Sequence, residues 1–474
     1  MKTVNFSKQI SLLLLWGGIG LLMACSTKEE VGILPLTEGG KSLNATTLGQ
    51  VYTVSNANEL SVLSLAPGDK VVMMAGNWHD QVIKFKGQGT EQSPIILVTQ
   101  VPGQIISGRS TLEIDGTWLI VDGLFFTNGY ASDGKNVIEF SRTSSNCRLT
   151  NTSIQDYNHP QDSTKWVSMF GDHNRVDHCS FTGKTKVGTT LVVWLDSVPD
   201  YHLIDHNYFG PRPSLNGANG GESVRIGSGE LSPTASSNSK VSFNIFEECD
   251  GEGETISLKS SHNIISNNFL YKSQGTITCR QGHYNEISNN YFIGNDKADC
   301  GGIRLTGENH IVKRNYFQHL KGRSLRAAIS VMNGEVSPTY SGYRQVKNAV
   351  IQNNVLVNCR ETFYLGSAPS TTRVLAPDGL NVSKNFVINP TSLMITNENN
   401  LPTNSVIVNN QLYGQMVIPG FITMIKADMI KASGIWQIKA EQKIPFWLNV
   451  PVGPSWQTGI KVYPLQSTID SLTI

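Results

Sequence analysis

The chain has 474 residues, 39% of them hydrophobic and 16% charged, with 44 glycines. That is material for a large core with many turns and few charges, and it favours β structure. Thirty-eight lysines and arginines stand against 37 acidic residues, so no global charge argues for nucleic acid or a membrane surface as partner, and any basic site must be local.

At the N-terminus, Lys2 and Lys8 precede the apolar run Ile10 to Met23. Leu22-Met23-Ala24-Cys25 resembles the lipobox of bacterial lipoproteins, whose cysteine becomes the lipidated first residue after cleavage. The run is short for a membrane span. Residues 1–25 therefore read as a lipoprotein signal peptide, 26–48 as a polar tether and 49–474 as one folded domain. This implies a bacterial cell-envelope protein at the outer membrane, the cell surface or the periplasmic face, touching the membrane only through the lipid on Cys25. The other cysteines, at 147, 179, 249, 279, 300 and 359, have no C-x-x-C spacing and read as core thiols rather than metal ligands.

Asn56-Ala57-Asn58-Glu59 has the form of a capping box ahead of an amphipathic helix carrying Leu60, Leu63 and Leu65, stopped at Pro67-Gly68-Asp69. Such a helix would cover the open end of a strand stack. The alternation Lys70-Val71-Val72-Met73-Met74 then begins the first coil.

A repeat follows: a short strand, an asparagine and one or two bulky apolar residues. The asparagines are Asn207, Asn244, Asn268, Asn290, Asn315, Asn354, Asn385 and Asn410, separated by 37, 24, 22, 25, 39, 31 and 25 residues. A unit of about 22 to 28 residues without helical periodicity is what one coil of a parallel β-helix needs. Asparagine tolerates the left-handed conformation of a tight corner, and stacked corners let its amide bond the coils above and below. A leucine-rich horseshoe or a propeller would carry signatures that are missing here. The fold class is all-β, a single-stranded right-handed parallel β-helix with an N-terminal capping helix. From about Ile418 the repeat fades; Phe421 to Ser433 reads as a short helix exposing Lys426 and Lys431, inside a C-terminal capping segment, 415–474.

The spacings of 37 and 39 mark loops inserted into coils. Counting strands by twos sends Val224 and Ile226 inward and Arg225 outward. Thr255, Ser257 and Lys259 go outward, as do Thr276, Thr278 and Arg280, and Arg304 lies between inward Ile303 and Leu305. Arg225, Lys259, Arg280 and Arg304 are separated by 34, 21 and 24 residues, about one coil each, so they should form one ladder about 4.8 Å per step on one sheet. Like charges that close need negative charge among them. A solvated face paired by Glu222, Glu252 and Glu254 would satisfy this; so would a groove for an acidic polysaccharide, with Tyr364 outward two coils on as a stacking platform. The acidic turn Asp250-Gly251-Glu252-Gly253-Glu254 does not match an EF-hand loop.

Asn219-Gly-Gly-Glu222-x-x-Arg225, then Glu252-Gly-Glu254-x-x-x-x-Lys259, then Arg280, resembles polysaccharide lyase family 6, the alginate lyases and chondroitinase B. The resemblance implies a calcium ion held by Asn219, Glu252 and Glu254, a lysine base at Lys259, an arginine acid at Arg280 and substrate-binding arginines at Arg225 and Arg304. Where the family often has histidine after the catalytic arginine, this chain has Gln281, with His283 two residues later; both are candidate substrate contacts. The implied reaction is β-elimination on a uronic acid, with alginate as substrate and a 4,5-unsaturated uronate as product. Removing the C5 proton places charge beside a carboxylate, so a cation there helps, and neighbouring cations should lower the pKa of Lys259. Dermatan sulfate is the rival substrate. A non-catalytic surface glycan-binding lipoprotein would keep Arg225 and Arg304 without needing Lys259, and the clustered aspartates of a pectinase-type hydrolase are absent.

Overall fold

The computed structural model describes residues 49–388 apart from 162, 197 and 228–234, together with 395–397, 401–413, 424–426, 429–432, 435–438 and 451–458. Cys25 and the proposed signal peptide and tether lie outside the described residues.

From Lys70–Met73 to Asn410–Tyr413 the described strands visit three parallel sheets in rotation, with the short antiparallel pair Gly334–Glu335 and Arg373–Leu375 standing outside the cycle. Among the described residues the first sheet has 14 strands, the second 14 and the third 12. One coil illustrates the cycle: Ile264–Ser266 joins the first sheet, Phe269–Tyr271 the second and Thr276–Gln281 the third. The next coil pairs without slipping, Ile265 with Ile287, Leu270 with Phe292 and Ile277 with Ile303. Each strand thus turns one alternate set of side chains into a shared interior, and a continuous apolar core runs from Val54 to Leu412. The six cysteines beyond Cys25 are buried free thiols.

The repeated asparagines form a ladder at the corner between the first and second sheets. All eight are buried, and each Nδ2 donates to the Oδ1 of the asparagine one coil on, at 2.9–3.0 Å from Asn207 through to Asn410. The left-handed conformation falls one residue earlier than anticipated: His206, Phe243, Asn267, Asn289, Arg314, Asn353, Lys384 and Asn409 have φ of 56–58°. The turn residue faces out, and the asparagine after it faces in, where its amide can satisfy backbone groups that no water reaches.

A second ladder, unanticipated, runs along the corner from the third sheet to the first. The backbone N–H of Cys147 donates to Asn174, that of Asn174 to His202, His202 to Ser239, Ser239 to Asn263, Asn263 to Asn285 and Asn285 to His310.

The N-terminal helix spans only Ala57–Ser61. Asn56 Oδ1 accepts from the Glu59 N–H, and Glu59 reaches back to the N–H of Ser55, so the box forms as the sequence suggests. Leu63 and Leu65 pack on the core after the helix has ended, because Ala66 and Gln50 donate their N–H groups to Asp69 in a turn that draws the chain out of the helix. The strand Val51–Val54, ahead of the helix, edges the first sheet beside Lys70–Met73.

The expected helix from Phe421 to Ser433 is not formed by the residues described. Met424–Lys426 pairs with Asn410–Tyr413, and Met429–Ala432 makes an antiparallel hairpin with Ile435–Ile438. The edge of the last coil offers unpaired backbone groups, and a strand satisfies them where a helix cannot. Further on, Ile435 and Val452 pack against an apolar patch on the outer face of the second sheet that includes Tyr208, Phe269 and Tyr316. Trp456 Nε1 donates to Asn151 O at 2.7 Å, and its ring lies 5.7 Å from that of Phe125. The described part of this segment lines a flank.

Candidate active site

The third sheet carries the conspicuous cations. Its strands Val224–Ile226, Glu254–Lys259, Thr276–Gln281 and Ile303–Leu305 are consecutive neighbours. Register places Arg225 beside Ser257, Ser257 beside Thr278, and Thr278 beside Arg304, with Ser330 and Tyr364 continuing the row. The four cations therefore occupy two rows, not one ladder. Arg225 and Arg304 share a row, three strand spacings or about 14 Å apart. Lys259 and Arg280 lie two residues further along their strands.

Two irregularities flank the regular pairing of Ile256, Ser257 and Leu258 with Ile277, Thr278 and Cys279. Glu254 pairs with Thr276 but Ile256 with Ile277, leaving Thr255 extra; Leu258 pairs with Cys279 but Lys259 with Gln281, leaving Arg280 extra. Each extra residue re-aims its neighbours, as bulges beside functional sites do. Gln281 consequently sits opposite Lys259 and is buried, its Nε2 donating to Tyr340 O at 2.7 Å.

The segment Tyr340–Tyr343, from the insertion after Ile329–Met332, also holds Arg280. Its guanidinium donates to Ser341 O at 2.8 Å and Gly342 O at 3.3 Å, and its central carbon stands 4.0 Å from the centroid of the Tyr343 ring. Arg373 approaches the same ring at 4.9 Å. Two carbonyls and an aromatic ring keep Arg280 oriented.

The carboxylates come from two loops packed backbone to backbone. A Cβ on Gly221 would fall 2.5 Å from the carbonyl carbon of Gly251, so this approach requires glycine. Arg212, buried beneath them, donates to the carbonyl oxygens of Lys186, Gly188, Gly220 and Glu222. Burial pushes its pKa down to about 10. No spacing rule singled out this arginine; a lone basic residue between two prolines in an inserted loop was its signal. Asp250, prominent in sequence, is engaged by Lys297 at 2.6 Å and by the N–H of Gln274.

Glu252 Oε2 accepts from the N–H groups of Gly220 and Gly221 at 3.0 and 3.2 Å. Burial, then the charges of Glu222 and Glu254, raise its pKa to about 7, against the pull of the Gly221 N–H and Lys259. Glu222 Oε1 stands 3.7 Å from Lys259 Nζ and 3.9 Å from the Arg225 guanidinium. A carboxylate thus stands between Lys259 and Arg225, where a surround of cations alone was anticipated. Arg225 also lies over the Trp194 ring at 5.4 Å. Arg304 pairs with Glu254. The Nε atoms of Arg225 and Arg304 are buried without a hydrogen-bond partner.

Asn219 is exposed on the loop beside Gly220. With Glu252 and Glu254 it supplies oxygen donors of the kind a hard divalent cation takes, and burial first, then the charges of Glu222 and Glu254, make the Glu252 carboxylate costly to ionise. Among the described residues no group of three or more His, Cys, Asp or Glu side chains is arranged to hold a metal; two carboxylates and an amide make a smaller set, and Glu254 would have to share itself with Arg304. Tyr364 follows the outward row yet is only 3% exposed, too covered to serve as a stacking platform. His283 stands at the corner beyond Gln281, its Nδ1 accepting from the Glu308 N–H at 3.1 Å, away from the cation rows.

The family model described as chondroitinase B matches residues 54–443. Among solved structures, the family 6 alginate lyase AlyGC is 33% identical with a TM-score of 0.80, covering 87% of this chain; the chain spans 59% of AlyGC's length. A mannuronic acid specific family 6 lyase from human gut microbiota is 28% identical, TM-score 0.71, with 89% of this chain and 98% of that one covered. A family 6 lyase from Pseudopedobacter saltans is 26% identical, TM-score 0.71, covering 86% and 99%. No curated protein matches.

Proposed function

Given that the chain belongs to the chondroitinase B family, polysaccharide lyase family 6, we propose that it cleaves alginate by β-elimination on the outer face of its third sheet. The observation that carries this reading is the meeting of Lys259 and Arg280 on adjacent strands, offset two residues from a row bearing Arg225 and Arg304, beside three glutamates.

Lys259 in its neutral form takes the C5 proton of a uronate. The electron pair left behind forms the C4–C5 double bond as the C4–O bond breaks, and the leaving oxygen gains a proton. A guanidinium is a poor acid, so Arg280, fixed by Ser341, Gly342 and Tyr343, stabilises the developing charge while water delivers that proton. Arg225 and Arg304 bind substrate carboxylates. Asn219, Glu252 and Glu254 would hold calcium, which would neutralise the carboxylate beside the scissile position. The protein is lipid-anchored to the bacterial envelope through Cys25.

The experiment is ultraviolet absorbance of the unsaturated product when the full chain meets alginate and, in parallel, dermatan sulfate, each with and without a chelator. Product from alginate alone, lost on chelation, is the expected outcome. Product from dermatan sulfate alone would reassign the substrate, and activity untouched by exhaustive chelation would remove calcium from the scheme. No product from either, with glycan affinity retained, would leave a binding protein.

A further inference from the structure

Beyond the end of the strand Thr276–Gln281 lies a cleft of about 410 Å³. Its walls are the corner residues His283, Tyr284 and Glu308 and the insertion residues Glu335, Arg344 and Lys347. Arg344 directly follows Tyr343, the residue that packs on Arg280, so one short stretch of chain serves both places.

The side chains of the cleft divide by chemistry. Arg344 NH1 is buried without a hydrogen-bond partner, and burial holds the guanidinium below its ordinary pKa although the charge of Glu308 acts in its favour, so a donor remains for a further acceptor. His283 Nδ1 accepts a backbone N–H, and burial holds the ring's pKa below its ordinary value; the neutral ring therefore carries its proton on Nε2 as a donor. Lys347 stands 3.7 Å from Glu308, a separation that leaves both groups able to engage a third partner. Tyr284 is 55% exposed and held flat by stacking on His262 at 5.0 Å. Anion donors, carboxylate acceptors for hydroxyls and an exposed ring form a set suited to an acidic sugar.

We propose that this cleft binds a uronate residue of the polysaccharide, its carboxylate on Arg344 and His283, its hydroxyls on Glu308 and Glu335, and its ring face on Tyr284. It is a subsite beyond the cleaved bond, and it rests on the reading of the protein as an acidic-glycan lyase. A carboxylate seated there completes the charge balance of Arg344 and steadies the segment that orients Arg280.

Binding of a trimannuronate and a triguluronate is measured by calorimetry with the full chain carrying Lys259→Ala, which prevents turnover. Adding Arg344→Met should weaken at least one trisaccharide about tenfold, the worth of a charge-assisted hydrogen bond, and Tyr284→Ala should weaken it several-fold. In the otherwise native chain, Arg344→Met should raise KM by more than it lowers kcat. Trisaccharide affinity within twofold of the parent in both variants would overturn the proposal, as would inorganic sulfate binding as tightly as the trisaccharides. Should Arg344→Met fail to fold, Tyr284→Ala, at an exposed position, decides. Weakened binding in the variants with no unsaturated product from the native chain would sink the lyase reading and keep the cleft; unchanged binding with product formed would do the reverse.

Discussion

Glu222 is the residue through which the charges of the site communicate. Its carboxylate lies within 4 Å of both Lys259 and Arg225, and Thr189 fixes its second oxygen at 3.1 Å. It therefore competes with a substrate carboxylate for the same cations while holding Lys259 in place. Replacing Lys259 by methionine removes the proposed base and keeps most of the volume. Product formation should fall by at least about a hundredfold while glycan affinity changes only a few-fold; a variant that still forms product at the native rate would remove Lys259 from the chemistry. The residue types of the site were legible in the sequence because spacing carried them. Their arrangement in two rows was not, since alternation gives each strand's outward set but not which members stand opposite: the register pairs Arg225 with Ser257 and Arg304 with Thr278, two residues short of Lys259 and Arg280. Nor was the placement of Gln281 against Tyr340, which depends on a loop some sixty residues away in the chain.

At the scale of elements, the two corner ladders differ in how openly they are written. The asparagine ladder repeats one residue type because a single amide must both donate and accept along the stack, so it could be read directly. Its neighbour, at the corner from the third sheet to the first, needs only an acceptor for one N–H per coil, and asparagine, serine and histidine all serve. Periodicity of residue type is then lost although periodicity of role remains. Asn290→Ala would leave both donors of Asn268 and the carbonyl of Ile265 without their partner, and should cost about 3 kcal/mol in denaturant unfolding. The histidines of the second ladder make a pH prediction. His202 Nδ1 and His310 Nδ1 accept backbone N–H groups, and burial lowers their pKa values from 6.5 to about 3 and about 4. Asp172 opposes the shift at His202 while His173 adds to it, and His283 adds to that at His310. The unfolded chain binds protons below pH 6.5 that the native ladder refuses. Stability is thus full above 6.5 and falls as pH drops toward 4, by about 1.4 kcal/mol per pH unit for each ring. His310→Asn, which supplies the same acceptor without titrating, should flatten part of that decline in melting temperature between pH 7 and 4.5; an unchanged slope would refute the assignment.

For the whole molecule, the second sheet presents an apolar flank that a parallel β-helix could not leave bare, and the C-terminal residues Ile435, Val452 and Trp456 lie along it. Sequence reading saw the repeat fade and inferred an end cap, because an amphipathic stretch does not say which apolar surface it will cover. Trp456→Ala removes the indole that fills the space above Gly103 and beside Phe125. It should lower unfolding free energy by about 2 kcal/mol without changing kcat, since this flank lies on a different sheet from the site. A loss of activity at unchanged stability would contradict that separation.

The insertion that grips Arg280 bears on how the protein matures. Every described strand of the third sheet after Val82–Gln88 pairs with one from the preceding coil, so the stack can grow by templating each new turn on the last, at low cost in loop closure. Lys259 and Arg280 are laid down on the seventh and eighth of that sheet's twelve described strands, yet Arg280 gains its fixed orientation only when Tyr340–Tyr343 returns to it across two further coils. A nascent or truncated chain ending before Tyr340 would hold every residue proposed to act at the cleaved bond and still lack an aligned guanidinium, so catalytic competence arrives as a late event in folding.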